Sequence, residues 1–443
     1  MRDARARHRP DTAGALAGLE TRRLAAETLA EVLAGKPFVP LDRARLADPR
    51  DRAFANRLVT TALRRHGHIE TVTAALLERG LPKRAGLFGP LLAIGLAELL
   101  YIEGAAPHAA IDSSVTILKA DRRGGHLAKL LNAALREAQR RADAFSRLPA
   151  ETLIPATFRD NWRRQYGEAM LSRFAEALVL GAPLDLSFAS EDPDLVAELG
   201  GRATLPLSAR IESRDRPVAE LPGYAEGRWW VQDVAASLPA RLIDLPPGAR
   251  VLDLCAAPGG KTAQLCARGY KVTALDNDKA RLARLSDNLA RLGFSAEIIV
   301  ADAAAPLELS PFDAVLVDAP CSATGTFRRH PEVLVNRTAA DVADRVALQR
   351  RIVANAVPLV GPGGSLVFAT CSLERAEGED QADWIAGSFP DLVPAPIRRG
   401  ELNAPDQALT PGGRLRTHPG LDWPEIGAGG MDGFYVARFF RGL

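Results

Sequence analysis

The sequence predicts an α + α/β protein in three parts: an all-helical front, a small mixed connector, and a doubly wound, mostly parallel sheet of seven strands. Three observations predict this. A chain of 443 residues is too long for one ordinary core. Residues from about 20 to 142 carry apolar positions at helical spacing. From about 236 onward, short apolar runs alternate with helical stretches, as in parallel sheets covered on both faces. The expected parts are 1–145, 146–235 and 236–443.

The front elements follow in order. In "TRRLAAETLAEVLAG", Leu24, Ala25, Thr28, Leu29 and Val32 share one face, and Gly35 ends the run. "DPRDRAFANRLVTTALRRHGHIETVTAALLERG" continues the pattern. "GPLLAIGLAELLYIEG" reads as a buried helix with Pro90 near its start, and "HLAKLLNAALREAQRR" closes the bundle. No fixed-period repeat is visible, which excludes a helical solenoid. The connector begins helical and ends strand-like at "LDLSFAS".

Six of the seven strands are assigned to segments of the back part. They are "RVLDLC", "GYKVTALDND" ending in Asp276, "AEIIVAD" ending in Asp302, "FDAVLVDAPC" ending at Asp318, "GGSLVFATCS" ending at Cys371, and a late "DGFYVARFF". Polar residues gather at the carboxyl ends, where such sheets bind ligands.

Charge is unevenly placed. Residues 1–150 hold 25 Lys+Arg against 16 Asp+Glu, and the rest hold 31 against 38. A basic front suggests a polyanionic partner; an Arg-rich composition without a partner is the plainer alternative. Four scattered cysteines without C-x-x-C spacing argue against a disulfide framework and a zinc site. The N-terminal "MRDARARHRPD" is basic but precedes no apolar run, so no secretory signal is expected. The longest apolar run, Leu91–Ile102, is too short to span a bilayer, which needs about 20 residues. A cytoplasmic monomer with reduced thiols, no metal and no membrane is expected.

"VLDLCAAPGGKT" (Val251–Thr262) ends like a phosphate-binding loop. That loop requires glycine where Cys255 stands, and Pro258 offers no amide donor. A dinucleotide fingerprint fails as well. The surviving reading is a loop for S-adenosylmethionine, from Cys255, Ala256, Ala257 and Pro258 through Gly259, Gly260 and Lys261. The two glycines admit close approach, and the helix that follows points amides at a ligand carboxylate. Asp276 suits the ribose hydroxyls and Asp302 the adenine amine, although a strand-end Asp is often only a cap.

Cys321 and Cys371 fall in loops after the fourth and fifth sheet strands, which neighbour each other if those strands pair. Carbon 5 of a pyrimidine is too weak a nucleophile to attack a sulfonium methyl. A thiolate adding to carbon 6 makes it enamine-like. Such a thiol needs a cationic neighbour, for which Lys261 is the candidate by motif. Asp318 can bond the exocyclic amine and protonated ring nitrogen of cytosine, and the base must leave its stack. This chemistry alone does not rank the two thiols. Cys255 and Cys266 read as buried small hydrophobes.

"LDLCAAPGGKT", "DAPCSATG", "FATCSLE" and "MDGFYVARFF" resemble the signature segments of the Nop/Sun RNA cytosine carbon-5 methyltransferases over about residues 220–443. "LADPRDRAFANRLVTTALRRHG" and "LLNAALREAQR" resemble the NusB-like RNA-binding helical domain. Their fusion resembles the bacterial branch that modifies one cytosine of small-subunit ribosomal RNA. The resemblance implies a Rossmann-like class I methyltransferase domain using S-adenosylmethionine, with ribosomal RNA as partner. It places the nucleophile on Cys371, the thiol assisting release on Cys321, the base-holding carboxylate on Asp318 and the motif lysine on Lys261. The exchange of the two thiols stays open, because in pyrimidine methyltransferases of DNA the Pro-Cys thiol is the nucleophile. Cofactor contacts carry over to the loop through Gly260, to Asp276 and to Asp302, with Asp318 adjoining.

Two departures touch RNA contacts. "VLVNR" stands where relatives carry an aromatic residue, and "RAEGED" stands where they carry an acidic-Asn pair. Arg328, Arg329 and His330 are either phosphate contacts or a solvated charge cluster. Trp229 and Trp230 either pack the core or stack near the ligands. Rival functions are a methyltransferase for another RNA such as tRNA, for protein or for a small molecule, and an RNA-binding assembly factor with a silent back domain.

Overall fold

The computed structural model describes residues 12–211 and 216–443, so the basic N-terminal stretch 1–11 lies outside the described residues. By its internal contacts the chain divides into two compact units: residues 1–159 with 330–336, and residues 160–329 with 337–443.

The first unit is helical throughout. Its principal helices are Thr12–Leu33, Pro49–Arg64, His66–Leu76, Phe88–Tyr101, Pro107–Ala120 and Ala128–Arg140. Asp48 caps the second by accepting from the amides of Arg50 and Asp51, and Pro49 takes the first position, where a missing N–H costs nothing. The stretch that continues the helical pattern breaks at Arg65 into the second and third of these helices. The apolar helix Phe88–Tyr101 is buried on nearly every face, yet carries Glu98. Glu98 is 1% exposed and receives Nε of Arg22 at 2.9 Å, so the buried charge is paired and hydrogen-bonded.

The second unit opens on the helices Ala156–Tyr166, shared across the boundary, and Glu168–Leu180. A small antiparallel sheet follows, formed by β1 (Leu184–Phe188), β2 (Gly201–Ala203), β3 (Ser208–Ile211) and β4 (Trp229–Val231) in the order β2-β3-β1-β4. Trp229 and Trp230 are fully buried, which is the core-packing alternative.

The large sheet contains β5 (Arg250–Leu254), β6 (Lys271–Asp276), β7 (Glu297–Val300), β8 (Phe312–Asp318), β9 (Val360–Thr370), β10 (Leu392–Pro394), β11 (Leu415–Arg416) and β12 (Tyr435–Arg441). Seven strands run in the order β10-β12-β9-β8-β5-β6-β7, with the two-residue β11 paired to β12. β5 to β9 pair in parallel, while β12 runs antiparallel to β9 and β10 to β12. This is the Rossmann-like architecture expected. Strand order reverses between β5 and β8, and beyond the carboxyl ends at such a switch point open parallel sheets bind their ligands.

Candidate active site

The loop after β5 is built for close approach. Cys255 has φ +60° and Gly259 has φ +101°, and the helix Gly260–Ala267 starts immediately afterwards. A Cβ at Gly259 would stand 2.7 Å from Cγ of Leu285. The Asp276 carboxylate, at the end of β6, takes the Ala257 amide at 3.1 Å and the Asp278 amide at 3.0 Å. Each of its oxygens thus has one hydrogen-bonded amide, with Arg281 Nη1 a further 3.8 Å from Oδ2, and a carboxylate accepts about four bonds, so capacity for a diol remains. Asp302 is exposed, lies two residues past β7, and caps a turn through the Ala304 amide at 2.9 Å.

Sequence reasoning passed over Asp253. It is wholly buried in β5 below this loop, and its Oδ2 accepts from Thr262 Oγ1 at 2.7 Å. Its Oδ1 has no hydrogen-bond partner among the described residues. Burial pushes this carboxyl up to about 7, against the opposing effect of the Thr262 bond. The left-handed turn at Gly259, with the helix N-terminus after it, and this orphaned oxygen fit a polar ligand seated on the loop. Burial also pushes the Cys255 thiol up, and the Cys266 thiol up to about 12, which suits inert packing groups.

Across the switch point, Lys261 Nζ donates to Asp318 Oδ2 at 2.7 Å and lies 5.2 Å from the Phe434 ring centre. The lysine's contact is therefore with the carboxylate. The two loop thiols do meet: Cys321 Sγ is 3.4 Å from Cys371 Sγ. The register of β8 on β9, Asp318 opposite Ala369, brings their loops together. The bond to Cys371, then burial, then the charge of Glu377 hold the Cys321 thiol well above its ordinary range.

A buried polar network locks the two loops. Glu377 is fully buried and receives the Ser322 amide at 2.8 Å and Nε2 of Gln349 at 3.1 Å, and its other oxygen receives the Ser322 hydroxyl. Ser322 Oγ meets Ser372 Oγ at 3.1 Å, and Thr324 Oγ1 takes the Leu373 amide at 3.0 Å. The Gly325 amide donates to Cys371 O at 3.0 Å. From outside the loops, Trp162 Nε1 and Asn161 Nδ2 donate to the two oxygens of Glu374 at 2.7 and 2.9 Å, and Tyr166 Oη donates to Leu373 O at 2.8 Å. No motif signalled these partners, because they lie far apart in sequence.

Within the basic cluster Arg328 departs from both alternatives, while Arg329 and His330 are exposed. Arg328 is wholly buried and donates to Asp233 Oδ2 at 2.9 Å, to Asp432 Oδ1 at 3.2 Å and to Gly429 O. It is neither solvated nor open to a phosphate. Arg329 donates through Nε to Asp432 Oδ2 at 2.7 Å. His330, in the first unit, is exposed and faces Glu332 at 3.4 Å. Among the described residues no group of three His, Cys, Asp or Glu stands together to hold a metal, and no helix is long and apolar enough to cross a membrane.

Comparison with known proteins matches residues 240–440 to the family model described as 16S rRNA methyltransferase RsmB/F, and residues 19–140 to the NusB family. The ribosomal RNA small subunit methyltransferase B of Xanthomonas campestris is 37% identical over 86% of this chain and 91% of its own. The protein of the same name from Pseudomonas syringae is 34% identical over 96% and 97%. The crystal structure of PH0851 shares the fold with a TM-score of 0.75, at 20% identity, over 95% of this chain and 98% of that one.

Proposed function

Because the chain belongs to the RsmB/F family of 16S rRNA methyltransferases, we propose that it methylates carbon 5 of a cytosine in small-subunit ribosomal RNA through a covalent Cys371–cytosine intermediate. S-adenosylmethionine is the methyl donor of this methyltransferase family. The observation that carries the finer reading is the pair of thiols 3.4 Å apart beside the Lys261–Asp318 pair, at the ends of adjacent strands.

The loop Cys255–Gly260, Asp276 and Asp302 hold the donor in this reading, the loop by its backbone and the two aspartates by their carboxylates. When bound, the donor supplies a sulfonium methyl for carbon 5 of the activated ring. The protein's own residues do the rest. Asp318 holds the polar edge of the flipped cytosine, and Lys261 fixes the carboxylate that does so. The Cys371 thiolate adds to carbon 6, and the ring electrons move to carbon 5. After methylation a base takes the carbon-5 proton, the C–H electrons re-form the 5,6 double bond, and the sulfur–carbon bond breaks with its electrons on sulfur, so that Cys371 leaves as a thiolate with the help of Cys321.

The test is a denaturing gel of protein, methyl donor and labelled small-subunit RNA. A denaturation-resistant adduct builds up in Cys321→Ala and is absent in Cys371→Ala. An adduct only in Cys371→Ala reverses the thiols. No methyl transfer by the wild type to this RNA overturns the reading and favours another substrate or a silent domain.

A further inference from the structure

A cytosine drawn out of its stack brings its flanking phosphodiester with it, and a cation near the thiols is needed to hold that charge. Arg328 and Arg329 are committed to Asp233 and Asp432. Arg337 is placed differently. Its Nε donates to the carbonyl of Ser322, the residue after Cys321, at 3.2 Å. It is half-buried, and among the described residues no carboxylate lies at ion-pair distance from it.

The surroundings fix the guanidinium beside Cys321. Arg337 precedes the helix Ala339–Ala356, whose capping box joins Thr338 and Asp341. From that helix Gln349 donates to Pro320 O at 3.1 Å, so helix and loop hold each other on both sides of Cys321. Asp341 is the nearest acid in sequence, and its Oδ2 is engaged by the Thr338 amide and hydroxyl at 2.8 and 2.7 Å. Those bonds, and after them the charges of Arg337 and then Arg345, keep Asp341 below the usual carboxylate range, but Asp341 stands beyond ion-pair distance of Arg337. With Nε on Ser322 O, the remaining N–H groups of Arg337 sit on the two terminal nitrogens. That planar fork matches two oxygens of a phosphate.

We propose that Arg337 is the phosphate anchor for the target nucleotide, binding the phosphodiester next to the base that Cys371 attacks. The inference rests on the RNA-methylation reading above. Its ligand is the RNA backbone, so it sets affinity and placement and carries no base preference.

The experiment titrates small-subunit RNA transcript against wild type, Arg337→Ala and Arg337→Lys over a range of potassium chloride concentrations. S-adenosylmethionine binding is measured on each protein in parallel. In Arg337→Ala the slope of log Kd against log salt falls by about one, and RNA Kd rises about tenfold at about 0.1 M salt. Donor affinity stays within about twofold. Arg337→Lys keeps the wild-type slope, which also serves if the alanine variant fails to fold. A wild-type slope in Arg337→Ala with a lower kcat, or a slope lost in a folded Arg337→Lys, overturns the proposal. The first result would mean that Arg337 only holds the Cys321 loop. A wild type that transfers no methyl to this RNA overturns the underlying reading and this inference together.

Discussion

Arg328→Ala is expected to destabilise the second unit rather than merely to weaken RNA binding. Arg328 is wholly buried and stands between two fully or nearly fully buried carboxylates, Asp233 at 2.9 Å and Asp432 at 3.2 Å. Removing one partner of a buried ion pair costs about 3–5 kcal/mol, because a charge is left without compensation. Two carboxylates lose a partner here, but Arg329 still holds Asp432 at 2.7 Å, so about 4 kcal/mol is the expected loss. For a unit of this size that lowers Tm by on the order of 10 °C. The sign of the pH effect follows from Asp233. Burial and then Asp432 hold it up at about 6, above its unfolded value of about 3.9. Protonation therefore favours the folded state, and the contribution of Asp233 is complete below about pH 4 and lost as pH rises through 6. Without Arg328 the carboxyl rises further, so the deficit is larger at pH 8 than at pH 5. Thermal unfolding followed by circular dichroism at both pH values, with RNA binding measured beside it, checks this. A variant with wild-type Tm and weakened RNA binding would refute the reasoning and return Arg328 to the RNA.

Gly259→Ala raises the S-adenosylmethionine Kd at least about tenfold by calorimetry, because φ +101° and Leu285 at 2.7 Å leave no place for a methyl group; unchanged affinity would remove this turn from the donor site. Asp253, at about 7 when folded against about 3.9 unfolded, makes wild-type stability fall between about pH 4 and 7, by up to about 4 kcal/mol. Urea midpoints at pH 5 and 8 read this fall, and Asp253→Asn flattens it; equal slopes in both proteins would locate the pH dependence elsewhere. Trp162→Phe takes the donor from Glu374 Oε1, costs about 1–3 kcal/mol, and slows single-turnover methylation with donor affinity unchanged. A wild-type rate would show that the turn after Cys371 needs no such support.

In "RAEGED", one of the two departures from the family pattern, Glu377 accepts the Ser322 amide and so holds the Cys321 loop. A Cβ at Gly378 would stand 2.2 Å from Arg416 Nη2 and 2.9 Å from the Tyr435 ring. "VLVNR" begins in the short helix Glu332–Asn336, which belongs to the helical unit, and ends at Arg337. Nothing in the structure explains the missing aromatic residue.

Much of the site was legible because a parallel sheet has one ligand end. Apolar runs marked the strands, and the polar residue after each run marked that end; this placed Cys255–Lys261, Asp276, Asp318, Cys321 and Cys371 without any coordinates. The helical front was legible for the same kind of reason, since periodicity is a local property. Which arginine faces what was not legible. Arg328, Arg329 and Arg337 have one chemistry and lie within ten positions, yet the first is buried between Asp233 and Asp432, the second is tied to Asp432, and the third rests on Ser322 O. The orphaned oxygen of Asp253 and the Glu377–Ser322 and Glu374–Trp162 bonds were hidden likewise. Burial and pairing of a charged side chain depend on residues 55 to 212 positions away, as for those two bonds, and only the folded chain brings them within reach.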